Sequence, residues 1–115
     1  PAGRACIVPK LPHRVITAVD CTIVRTSNNC DPDFLVQLCS LNSYFETVNN
    51  YLGGGTRQRI SRSVLARFVI QVPKIEEQQK IGTYFRTLDE LIAKHATQLQ
   101  KLQQIKSACL NRMFV

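Results

Sequence analysis

The chain has 115 residues, with 15 Lys and Arg against 8 Asp and Glu, and a formal net charge of +7. That length suits one domain, or one small domain with an appendage, and a hydrophobic fraction of 44% argues against wholesale disorder. No apolar run approaches the roughly 20 residues of a membrane-spanning helix, and Pro1-Ala2-Gly3-Arg4 leads into no long apolar stretch of the kind a secretory leader carries.

The first 26 residues read as short strands. Ala5-Cys6-Ile7-Val8 ends at Pro9, and Pro12 follows, so a turn separates it from the next run. Val15-Ile16-Thr17-Ala18-Val19 and Thr22-Ile23-Val24-Arg25-Thr26 are rich in β-branched residues, with Asp20 between them compatible with a bend or a bulge. Ser27 to Pro32 is a loop with a helix-start signal: Asp31 can cap, Pro32 suits the first turn, and Asp33 complements the dipole. Phe34, Leu35, Leu38, Leu41, Phe45 and Val48 recur at three- and four-residue steps, which predicts one helix from Phe34 to Leu52. Gly53-Gly54-Gly55 ends it in a turn or closely approached loop. Ser61 can cap a short turn through Arg67, and Phe68-Val69-Ile70-Gln71-Val72 reads as a strand closed by Pro73.

The final 40 residues differ. Glu76, Glu77, Gln78 and Gln79 open a long helix, with acids at its positive end. Over residues 76–114 it would run about 58 Å at roughly 1.5 Å per residue, too long to bury against what precedes it. Only Gly82 interrupts its propensity. Ile81, Phe85, Leu88, Ile92, His95, Leu99, Leu102, Lys106, Cys109 and Met113 alternate four and three apart, and eight of these ten are apolar. That is a coiled-coil seam rather than a broad stripe. Ile81, Phe85, Leu88, Ile92, Leu99, Leu102, Cys109 and Met113 are the expected interface, against a helix of the same chain, a second copy or another subunit.

Charge is unevenly placed. Residues 1–75 carry nine basic and four acidic groups, and residues 76–115 carry six and four. Between Gly53 and Lys74 stand Arg57, Arg59, Arg62, Arg67 and Lys74 with no acid, a stretch that attracts polyanions. Cys6, Cys21, Cys30, Cys39 and Cys109 are odd in number and irregularly spaced, which suits reduced, mostly buried thiols. Neither His13 nor His95 has partners at zinc spacing, the glycine triplet lacks a phosphate-loop lysine, and no nucleophile elbow occurs. No catalytic residue, metal site or cofactor is expected, and binding is favoured over catalysis.

Residues 53–114 are more specific in combination. The order is glycine loop, Thr56-Arg57-Gln58-Arg59-Ile60-Ser61, a short turn with Leu65, Phe68–Val72, then Pro73-Lys74-Ile75-Glu76-Glu77-Gln78-Gln79-Lys80-Ile81. This resembles the specificity (S) subunit of type I restriction–modification enzymes. There a recognition domain ends in a Gly-Thr loop and a strand, and a Pro-x-x-x-Glu-Gln-x-x-Ile entry leads into a long helix. The segment Phe34 to Leu52 also looks like the family's helix before that loop.

The resemblance implies an α+β chain: a partial α/β target-recognition domain over 1–75 and a coiled-coil helix over 76–115. It departs from the family in holding one such helix and only about half a recognition domain, as a fragment would; the absence of an initiating Met agrees. It implies a non-catalytic, cytoplasmic subunit that binds double-stranded DNA and docks methyltransferase (M) subunits and, through them, the restriction (R) subunit. Arg57, Gln58, Arg59 and Arg62 are then the DNA-binding residues: the arginines on phosphates, Arg57 or Gln58 on base edges. Two other readings stay open. One is a coiled-coil assembly or homodimerisation module without sequence-specific DNA binding; the other is an RNA-binding adaptor.

Overall fold

A computed structural model of the chain describes residues 2–14, 16–17, 21–56 and 58–114. Its helices are α1 (Pro32–Leu38), α2 (Asn42–Asn49), α3 (Arg62–Leu65) and α4 (Ile75–Met113). The chain divides into two compact units, Pro1–Thr83 and Tyr84–Val115. α4 begins in the first and supplies nearly all of the second.

Local chemistry sets the helix starts. The Asp31 carboxylate accepts the Phe34 N–H at 2.9 Å, with Pro32 in the first turn and Asp33 at the positive end. Ser61 caps α3 in the same way, accepting from the Val64 N–H at 3.2 Å. The acids Glu76 and Glu77 open α4 as expected.

The expected single helix from Phe34 to Leu52 is two. Ser40 turns its hydroxyl back to the Val36 carbonyl at 2.9 Å, and its N–H bonds instead to Gln37 O at 3.0 Å. That tightened turn redirects the chain before α2. The apolar spacing survives such a break, so periodicity alone did not reveal it. α2 ends at Asn49, ahead of the glycine triplet.

The strands expected at Ala5–Val8, Thr22–Thr26 and Phe68–Val72 are not formed, and of Val15–Val19 only Ile16 and Thr17 fall among the described residues. The sole β pairing among the described residues is an isolated antiparallel bridge between Gly53 and Arg59. The described chain is therefore mostly helical with almost no strand, and the α+β expectation is not confirmed. β propensity records fit to a pleated, half-buried surface, and these segments have no ladder partner among the described residues. Most of their side chains are exposed, Ile16 at 96% and Val69 at 93%, while Ala5 and Phe68 are half-buried.

The core of the first unit is small. Val48 is fully buried and Phe34 nearly so. Gly3, at φ +81°, brings the N-terminal segment onto α2: a Cβ there would lie 3.0 Å from Val48 Cγ2. The Tyr44 hydroxyl donates to the Gly3 carbonyl at 2.9 Å, which fixes the approach. None of the five thiols is fully buried: Cys30 and Cys39 are half-buried, while Cys6, Cys21 and Cys109 are exposed. The expectation of mostly buried cysteines thus fails, because the extended segments and the far part of α4 leave them uncovered.

Candidate nucleic-acid interface

The basic stretch is organised by two local devices. Gly53 and Arg59 exchange both backbone hydrogen bonds at 2.9 Å, which pins the two ends of the intervening loop together. Gly54 sits at φ +104°, a conformation that glycine adopts without strain. Two residues past the bridge, Ser61 starts α3, so Arg62 is its first residue. Chain length alone keeps the Arg59 and Arg62 Cα atoms within about 11 Å of one another.

Gln58, Arg59 and Arg62 are all exposed. Arg57 lies outside the described residues. The nearest acids in sequence are Glu46 and Glu76, well outside the loop and α3. Exposed arginines on this loop and at an adjoining helix start, within a stretch of sequence that contains no Asp or Glu, suit contact with a phosphate backbone. Among the described residues no group of three His, Cys, Asp or Glu side chains could hold a metal ion, and no helix is long and apolar enough to cross a membrane.

The expected seam residues are divided between the units. Ile81 is half-buried in the first. Phe85, Leu88, Ile92, Leu99, Leu102, Cys109 and Met113 are exposed along the second, from 36% at Leu88 to 76% at Met113. No coiled coil is formed within the described chain itself. His95, also on the seam, is exposed and pairs its Nδ1 with Gln98 Oε1 at 3.1 Å.

Two residues of the helix entry carry more than their sequence reading assigned. Gln78 is 1% exposed. Its Oε1 accepts the Asp31 N–H at 3.0 Å, and its Nε2 donates to Pro73 O at 2.8 Å and Asn29 O at 3.3 Å. One turn on, buried Gly82 is the notch in which the start of α1 rests. A Cβ there would lie 2.7 Å from both Asp31 Oδ1 and Phe34 N. A glycine inside an otherwise strong helix costs about 1 kcal/mol against alanine, which was the available signal of close packing.

Burial pushes the half-buried Cys39 thiol up, against a lowering contribution from its hydrogen bond with Tyr44. Burial, with the Cys39 charge and hydrogen bond adding to it, raises the Tyr44 phenol to about 12. Both groups stay protonated at neutral pH, so they act here as packing and hydrogen-bonding groups.

A protein-family model for the type I restriction modification DNA specificity domain matches residues 1–104. The chain belongs to this family. The match runs through the glycine loop, α3 and most of α4. No solved structure gives a significant match to this specificity domain.

Proposed function

We propose that this specificity domain is the DNA sequence-recognition subunit, or a fragment of one, of a type I restriction–modification system. The family match over residues 1–104 carries the reading. Residues 1–75 bind double-stranded DNA, with Arg59, Arg62 and Arg57 on phosphates and Arg57 or Gln58 reading base edges. Residues 76–115 dock the methyltransferase subunits and, through them, the restriction subunit. The chain is itself non-catalytic and acts in the cytoplasm.

The exposed loop cations and the acid-free stretch support the DNA contact; the exposed apolar stripe of α4 supports the docking role. The experiment is a direct competition. Fluorescence anisotropy with a labelled DNA duplex is expected to give saturable binding that duplex competes away better than structured RNA. Preference for the RNA would transfer the reading to an RNA adaptor. Co-purification with a co-expressed methyltransferase subunit tests the docking half.

One observation favours a second reading. The seam from Phe85 to Met113 leaves large apolar side chains in water, which suits an assembly or homodimerisation module even without DNA reading. Sedimentation velocity separates the two: self-association without duplex binding favours this module, and a monomer at tens of micromolar argues against it.

A further inference from the structure

Gln78 is the most enclosed polar side chain described, and its amide is used in both directions. Oxygen accepts from Asp31, and nitrogen donates to two carbonyls, those of Asn29 and Pro73. Those partners lie 49, 47 and 5 residues away in the chain. Asp31 is gripped twice: its N–H by Gln78, its carboxylate by the α1 amide of Phe34 at 2.9 Å. The missing Cβ of Gly82 lets that pair come close. Pro73 stands next to Lys74, near the end of the acid-free stretch that carries Arg59 and Arg62. One side chain therefore holds both the entry to α1 and the exit of the basic segment.

We propose that Gln78 is the positioning residue of this recognition unit, a two-way amide latch that pins the Asn29–Asp31 turn and the end of the basic segment to the first turns of α4. The chemistry demands an amide. Leucine or methionine could fill the space but would leave an N–H and two carbonyls without partners. Glutamate, of the same shape, keeps the acceptor and loses the donors, and its ionised oxygen would face two carbonyl oxygens. A residue serving only to fill volume would tolerate that exchange; a latch would not.

This sets a pH signature for Q78E. The groups around the introduced carboxyl are Asp31 and Asp33 from the α1 side, Lys74 before the helix, and Glu76 and Glu77 on it. Burial and the neighbouring carboxylates raise its folded-state pKa above the unfolded value. The latch is then lost as pH rises through that raised value and regained below it, where the protonated carboxyl again donates.

The test is amide exchange, followed by NMR at Asp31 and Phe34, on the full chain at about pH 8 and about pH 5.5. At the higher pH, Q78E is expected to lower protection at both amides by about tenfold or more relative to wild type. Acidification is expected to restore most of it. Protection equal to wild type at both pH values overturns the latch, as does a loss with no pH dependence. Should Q78E be unfolded at about pH 8, recovery of the helical circular dichroism on acidification is the supporting result and its absence the overturning one.

The consequence for DNA rests on the reading above and is measured separately. At about pH 8, Q78E is expected to bind duplex at least about threefold more weakly with an unchanged salt slope, because no phosphate contact is removed. A wild-type chain that binds no duplex would sink the DNA reading and leave the latch to the exchange result.

Discussion

The two stretches of α4 make opposite use of the same helix. Its first two turns bury Gln78 and Gly82 against the start of α1, with every polar group of the Gln78 amide satisfied. From Tyr84 to Phe114 every described residue is exposed, large apolar ones included. The former is held by specific tertiary contacts. The latter stands on helix propensity, and its stripe is available to a partner. Substitutions in the first stretch should therefore register in the stability of the lone chain, and substitutions in the second only in assembly.

The largest effect is expected at Gln78. Gln78→Leu leaves the Asp31 N–H and the Pro73 and Asn29 carbonyls without their partner, and should cost about 2–4 kcal/mol in urea denaturation. A loss within about 0.5 kcal/mol would remove the contrast. Gly82→Ala comes next. Alanine adds roughly 1 kcal/mol of helix propensity, but its Cβ would meet Phe34 N and Asp31 Oδ1 at 2.7 Å. Overpacking and the disturbed cap together outweigh that gain, for a net loss of about 1–3 kcal/mol. A more stable alanine variant would show that the α1 contact is slack.

Tyr44 sharpens the comparison by pH. Its phenol is raised to about 12, above the ordinary value of about 10. A raised folded-state pKa means its contribution is fully present below about 10 and is lost as pH climbs toward the folded value. Ultraviolet titration should show a late phenol step that belongs to Tyr44. Tyr44→Phe should remove the late step and flatten the alkaline fall in stability. Titration of the Tyr44 phenol at its ordinary value would show that the contact to Gly3 is open to water. The smallest effect on stability belongs to the stripe. Ile92→Gln with Leu102→Gln should change monomer stability by less than about 0.5 kcal/mol while weakening any self-association seen by sedimentation. A large loss in the dilute monomer would mean that the stripe is already packed.

How legible this was depended on how local each signal is. The Asp31 and Ser61 caps and the long helix depend on neighbours within a turn, and all were readable from the residues. The glycine loop was placed, but the Gly53–Arg59 bridge that closes it was not. The break at Ser40 was hidden, because a serine that turns back on its helix leaves the apolar spacing intact. The strand readings failed at Ala5–Val8, Thr22–Thr26 and Phe68–Val72, where no partner strand is formed among the described residues. Among the expected site residues, Arg59 and Arg62 were singled out by charge, and the structure leaves both exposed. Gln78 was visible only as part of a family motif, because its partners lie up to 49 residues away and no periodicity encodes them.

The most direct test of the central claim is the salt dependence of duplex binding by wild type and by the Arg59→Ala/Arg62→Ala double variant. Each phosphate contact contributes about −0.9 to the slope of log K against log salt. Wild type should therefore bind with a clearly negative slope, and the double variant should bind more weakly with a slope shallower by about 2. Unchanged affinity and unchanged slope would contradict the account.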